Sequence, residues 1–340
     1  ALLIVGAMGL ITEAQMNRTF IEQASGLKGG EVVMTVDGES VTAEEYLYMT
    51  AYAAQSLSYY GITDLNAELG EGMTAADFVA QQAKEQVVAS AALRAWAEEK
   101  DVQLSSEDRI ALHEQKEAYG GEAAFQQTLK MGGVTEELFD SLMTQDMLYN
   151  HLYEIYCGKD GAQRPSEADL ESLAGEHKLV SAYLLSVDAA AEGAKEKMED
   201  YAARLAEAEN KAELVAAFAE ELQCDSAVQT FDCCHSSPVN DALLALEQLR
   251  VIREQEEQAK QEALEVSGVV EAEGGLHVLV RTDLDLDTVA YVNFSEEYNR
   301  RVSEAVVEEK ESVLEKIDVA AFYAKYTQLQ QNAMTSMTQG

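Results

Sequence analysis

LEVSGVVEAEGGLHVLVRT, residues 264–282, holds two short apolar runs, Val266–Val270 and Leu276–Arg281, on either side of an acidic, glycine-bearing turn at Glu271–Gly275. In the second run Leu276, Val278 and Val280 fall on one side and His277, Leu279 and Arg281 on the other, the period of two that a strand imposes. The intervening Glu-Gly-Gly reads as the link of a β-hairpin or a closely related loop. Almost everything before and after this stretch reads as helix. The fold class expected is therefore α+β, mostly helical, with one small β-containing module.

The chain of 340 residues is long enough for two or three domains, and its apolar content of 47% suits a globular protein. Against 24 Lys and Arg stand 62 Asp and Glu, a formal charge of −38. Such a field repels nucleic acid and anionic lipid head groups, so no nucleic-acid partner is expected. It serves solubility, and it suits contact with basic or unfolded segments. Pro165 and Pro238 are the two prolines, and both fall at breaks in the helical pattern.

The first residues, ALLIVGAMGLI, are continuously apolar. That run is shorter than the roughly 20 residues a membrane-spanning helix needs. It reads as the remnant of a signal-peptide core or membrane anchor, assigned to residues 1–25, the other reading being a buried amino-terminal helix.

Further on, Val32, Met34 and Val36 alternate as a strand, Asp37-Gly38 supplies a tight turn, and Thr42 with Glu45 forms a capping box. Thr74 with Asp77 opens a long helix to about Lys100, with Val88, Ala91, Ala92, Ala95 and Trp96 on one face. Ser105 with Asp108 opens another, which Gly120-Gly121 interrupts and Gly132-Gly133 ends. Thr135 starts a helix carrying Leu138, Leu142, Tyr149, Leu152, Tyr153 and Tyr156. After a linker through Pro165, Ser166 with Asp169 caps a fresh helix. Lys178–Val187 reads as a strand, helices follow at about Ala189–Ala206 and Lys211–Leu222, Cys224–Cys234 is extended, and Asn240–Leu264 is helical. Ser295 is read as the cap of a helix through Lys316. Val319, Phe322, Tyr323, Tyr326 and Leu329 make a last apolar stripe.

These motifs resemble the SurA/PrsA-like extracytoplasmic foldases. Val36, Asp37, Gly38, Val41, Thr42, Glu45 and Tyr46 match the opening of that group. Ala97, Glu98, Val102, Leu104, Ser105, Gly121, Phe125, Leu129, Gly133, Val134, Thr135 and Glu137 follow its helical order. Val266, Ser267, Val269, Val270, Gly275, His277, Val278, Leu279 and Val280 are similar to the end of a parvulin-type prolyl isomerase domain. The resemblance implies a helical chaperone domain at 26–164, a parvulin-like α/β domain at 165–290 and carboxyl-terminal helices at 291–340 that return to the first domain. It implies unfolded or partly folded exported polypeptides as partners, an extracytoplasmic location, membrane-anchored or secreted, and allows a homodimer. No cofactor or metal is implied.

Parvulin pockets set two histidines on adjacent central strands, with a Cys or Asp nearby and Met and Phe side chains around the proline ring. His277 matches the second histidine, and Tyr183 stands where the first is usual. Ala259, Ala263 and Leu264 stand where Met and Phe are usual. A pocket also requires Tyr183 and His277 on one side of the module. Little or no isomerase activity is expected, and His277 has a second reading as a hydrogen-bonded strand histidine. Client binding is assigned to Tyr46, Tyr48, Met49, Tyr52, Tyr59 and Tyr60, apolar surface able to hold extended segments loosely. An active prolyl isomerase and a structural or assembly protein of the cell envelope are the alternatives. Cys224, Cys233 and Cys234 with His235 offer soft ligands at a spacing that fits no zinc finger or ribbon. A disulfide from Cys224 to Cys233 or Cys234 is the other reading.

Overall fold

The structure is a computed structural model that describes residues 18–255 and 265–338. The apolar run at the amino terminus and the positions Ala259, Ala263 and Leu264 lie outside the described residues. The chain divides into two compact units, one made of the residues up to Glu154 and from Glu297 onward, the other of Ile155–Glu296.

In the first unit, Thr19 and Glu22 cap α1 (Phe20–Ser25) reciprocally, and Ile21, only 1% exposed, joins the main core. The limit expected at residue 25 is thus corrected. Ile21 ties this helix to the body, and Gly26, at φ 78, turns the chain away only after it. β1 (Val32–Val36) and β2 (Glu39–Thr42) pair as a hairpin across Asp37-Gly38, whose φ values of 50 and 93 meet the demands of a two-residue turn. A register shift between Val32 and Met34 buries Val33 along with Met34 and Val36, so the simple alternation fails there.

Thr42 then caps α2 (Ala43–Tyr59), accepting from the Glu45 N–H at 3.2 Å. Glu45 itself turns to Arg94, at 2.9 Å, so half of the expected capping box forms. A small hairpin of β3 (Glu68–Gly70) and β4 (Met73–Thr74) leads into α3 (Ala75–Glu99). Thr74 with Asp77 caps α3, and Ser105 with Asp108 caps α4 (Ser106–Glu117), each as a complete box. α5 (Glu122–Gly132) and α6 (Glu136–Cys157) follow. Leu47, Val87, Ala91 and Phe322 meet in the core of this unit, and Trp96 is buried on α3. Each such large apolar side chain contributes about 1.5–3 kcal/mol on burial.

In the second unit, which takes in the last residues of α6, α7 (Glu167–Glu176) follows, capped by Ser166 and Asp169. The unit continues through β5 (Leu179–Asp188), α8 (Ala194–Glu207), α9 (Lys211–Leu222), β6 (Val228–Asp232), α10 (Pro238–Gln255), β7 (Val270–Ala272) and β8 (Gly275–Thr282). Its antiparallel sheet has the order β6-β5-β8-β7. One face carries Leu185, Val278 and Val280 against Met198, Tyr201 and Leu205 of α8 and Phe218 of α9. The other carries Val180, Ala182 and Leu279 against Leu243 and Leu246 of α10.

The β7–β8 hairpin closes more tightly than the expected Glu271–Gly275 turn. Ala272 pairs with Gly275, leaving Glu273 and Gly274 at φ 52 and 79. Two successive positive-φ residues make the two-residue turn that fits twisted strands. Val266 pairs with Val280 of β8 as an isolated bridge, flanked by hydrogen bonds from the Ser267 N–H to the Leu279 carbonyl and from the Arg281 N–H to the Glu265 carbonyl.

α11 (Leu286–Glu304) begins well before Ser295, which lies inside it. That corrects the cap assigned to Ser295, because the chain is already helical from Leu286. The division between units falls inside α6 and inside α11. In the first unit, β9 (Val307–Glu309) then pairs with β1, and α12 (Glu311–Leu314) and α13 (Val319–Thr338) complete the body. The returning carboxyl-terminal segment is therefore built into the core: Phe322 and Tyr326 are buried with residues of α1, β1 and α2. No helix of the described residues is long and apolar enough to cross a membrane.

Candidate functional site

Helical spacing sets Tyr48, Tyr52 and Gln55 along one face of α2, and Tyr323, Tyr326 and Gln330 along one face of α13. Between them lies an open groove of about 350 Å³, closed off by Ala51, Ser58, Thr327 and Met334. None of its lining side chains is charged, in a chain whose formal charge is −38.

Tyr326 is fixed in place. Its hydroxyl donates to the Gly132 carbonyl at 2.6 Å and accepts from Gln330 Nε2 at 3.0 Å. Burial, and then the neighbouring Tyr48 and Tyr323, push its phenol up to about 12. Burial likewise raises Tyr48, with Tyr52 and Tyr119 adding to it, and raises Tyr323, with Tyr59 adding to it. The tyrosines thus form a neutral, mutually adjacent set, with aromatic faces for apolar contact and hydroxyls and amides for backbone groups. No nucleophile–base pair stands among the lining residues of the groove.

The residues assigned to client binding separate by depth. Tyr52 is 54% exposed on the groove, and Tyr59 and Tyr60, at 81% and 83%, project at the end of α2. Tyr48 lines the groove from a half-buried position, and Met49 packs against the core. Tyr46 is a correction: at 6% exposure it belongs to the core, because its place on α2 turns it inward beside Leu47. The α13 half of the groove was legible only as packing. Its Tyr-x-x-Tyr-x-x-x-Gln spacing is the one signal in the sequence that, set beside the stripe of α2, marks a polar-edged surface.

The pair Tyr183 and His277 does not meet. The two central strands β5 and β8 are adjacent, but Tyr183 pairs with Val280 and His277 with Ser186. Directly paired residues share a face and neighbours along a strand alternate, so Tyr183 lies with Val280 on the α8/α9 side and His277 on the other. His277 is held as a strand histidine, Nδ1 2.8 Å from the Ser186 hydroxyl and Nε2 3.2 Å from the Ala272 carbonyl. The joint pocket expected of these two positions is therefore corrected: register sends them to opposite faces.

The proposed disulfide is corrected on the same ground. Cys224, Cys233 and Cys234 form no disulfide, and Cys224 packs on the α8/α9 face while Cys233 is buried on the α10 face. Burial pushes the Cys233 thiol up to about 11, away from the reactive thiolate.

No protein-family model matches the sequence, and no curated protein does. Among solved structures, the chain is similar to the foldase protein PrsA from Lactococcus lactis, at 16% identity over 87% of this chain and 99% of that one, with a TM-score of 0.27. It is also similar to the foldase protein PrsA from Streptococcus pneumoniae str. Canada MDR_19A, at 15% identity over 79% and 93% of the two chains, with a TM-score of 0.28.

Proposed function

We propose that the protein is a chaperone of the SurA/PrsA-like foldase type that holds non-native polypeptide segments in the α2/α13 groove. The observation that carries this reading is the uncharged tyrosine-lined groove on an otherwise strongly acidic chain. Aromatic side chains take up apolar segments without fixing a sequence, and hydroxyls and amides meet extended backbone. The surrounding negative field favours basic or neutral segments and disfavours acidic ones. The sequence motifs shared with extracytoplasmic foldases support action outside the cytoplasm, on exported polypeptides, from a membrane-anchored or secreted protein. The same resemblance supports a parvulin-like second unit, weak or inactive as an isomerase given the separation of Tyr183 from His277.

An aggregation assay tests the reading. A chemically unfolded client diluted into stoichiometric protein is expected to stay soluble, and the variant Tyr52→Ser, at a side chain 54% exposed, is expected to weaken that protection at nearly unchanged Tm. Absence of protection by the unaltered protein overturns it.

A further inference from the structure

Arg281, near the end of β8, is 7% exposed and has carboxylates on two sides. Nε donates to Glu247 Oε2 of α10 at 2.6 Å, and the other Glu247 oxygen is taken by Arg250 at 2.9 Å. Nη1 stands 3.7 Å from Asp283, beyond hydrogen-bond reach, and among the described residues no acceptor meets either Nη nitrogen. Next along the strand, the Thr282 hydroxyl is buried with no hydrogen-bond partner.

Arg281 and Thr282 line a cavity of about 670 Å³ within the second unit, between α7, the start of β5, α10 and the end of β8. Its walls combine aliphatic side chains, Ala174, Leu179, Leu244 and Leu286, with the carboxylates Glu171 and Asp283 and the Glu247–Arg281 pair, and Lys178 stands at its rim in no ion pair among the described residues. A volume of this size suits a small ligand or a chain end. A buried guanidinium presenting two open N–H edges calls for a planar, bidentate anion. The aliphatic side chains ask that this anion be attached to an apolar body. Phosphate or sulfate, hydrated on every side, meets the first demand and not the second.

We propose that this cavity binds a carboxylate carried on an aliphatic body, anchored on the Nη edge of Arg281. The chemistry is shared by the free carboxyl terminus of a polypeptide ending in an apolar residue and by a small branched-chain acid.

Calorimetric titration of the full chain tests it with three probes: N-acetyl-Ala-Ala-Leu as the free acid, the same peptide as its amide, and isovalerate. The free acid is expected to bind at least ten-fold more tightly than the amide. Tighter binding of the peptide acid than of isovalerate assigns the site to polypeptide ends, and equal binding assigns it to small acids. Arg281→Gln is expected to weaken the acid at least ten-fold. Since that variant also disturbs Glu247, Ala174→Phe provides an independent check by filling the cavity without altering charge, and it is expected to abolish binding at unchanged helical content. Equal affinity for acid and amide, no binding of either acid, or full binding by folded Ala174→Phe overturns the proposal.

Discussion

Glu44 on α2 grips Thr135 at the start of α6 with both carboxylate oxygens, 2.7 Å from the backbone N–H and 2.7 Å from the hydroxyl. Thr135 in turn accepts from the Leu138 N–H at 3.2 Å, so one buried carboxylate orders the whole first turn of α6. Glu44→Ala leaves the Thr135 N–H without its acceptor and is expected to cost about 2–3 kcal/mol, read as a lowered urea midpoint. The charge has its own cost. Burial outweighs the Thr135 hydrogen bonds, and Glu22 and Glu137 add repulsion, so the carboxyl sits above its ordinary 4.5. The folded state then binds the proton more tightly than the unfolded chain, and this residue's share of stability falls as pH rises from 4.5 through the raised value. Glu44→Gln, which keeps an acceptor, is expected to recover relative to the unaltered protein over that rise; a constant gap between the two would contradict it.

Gly133 closes α5 at φ +71, and a Cβ there would stand 2.5 Å from the Phe20 Cβ and 3.2 Å from its Cα. Left-handed backbone costs an L-residue roughly 1–2 kcal/mol, and overpacking against α1 adds roughly 1–3 more. Gly133→Ala is thus expected to destabilise by about 2–5 kcal/mol in thermal unfolding. The adjacent Gly132 meets only Val134 Cγ2, at 3.6 Å, inside the helix. Gly132→Ala is therefore expected to be neutral or stabilising by up to about 1 kcal/mol. Equal effects at the two positions would refute the steric argument.

Asp108 joins two helices. Its carboxylate takes the Ser105 N–H at 2.6 Å as part of the α4 cap and lies 2.6 Å from His151 Nε2 of α6. A hydrogen bond from the Ser105 side chain, then the one with His151, hold it down at about 2, below the ordinary 3.8. A depressed carboxyl stabilises above its unfolded value, and that stabilisation is lost as pH falls through about 2. Asp108→Asn is expected to be less stable than the unaltered protein at about pH 5, with the gap closing on acidification. A gap that widens toward low pH would exclude this account.

Local chemistry was the legible part of the chain. Thr42, Thr74, Ser105 and Ser166 cap helices where the sequence places them, because a cap is written within four residues. Even so, Ser295 resembles a cap and sits mid-helix, since a serine inside α11 and one before it look alike. What depends on distant pairing was hidden. Val307–Glu309 becomes a strand only because β1 offers Met34, Thr35 and Val36 an open edge. The groove needs α2 and α13 side by side, from opposite ends of the chain. The depth of Tyr46 against Tyr52 follows from which flank of α2 the core covers, and six tyrosine and methionine positions alone do not say which.

Register decides the last case. Tyr183 and His277 match pocket positions by motif, but a one-residue difference in pairing reverses the face of a whole strand. With His277 opposite Ser186, the partner facing it from β5 is a serine, and residue 183 projects to the α8/α9 core with Leu185. Supplying the missing histidine therefore does not rebuild a pocket. Tyr183→His is expected to give no gain in proline-peptide turnover, while placing a polar ring against an apolar layer and lowering Tm. His277→Ala removes the contacts to Ser186 and Ala272, at about 0.5–1.5 kcal/mol each, and is expected to leave turnover at the level of the unaltered protein. A rise in isomerisation rate for Tyr183→His that disappears on adding His277→Ala would mean the two side chains reach one substrate, and the opposite-face arrangement would be wrong.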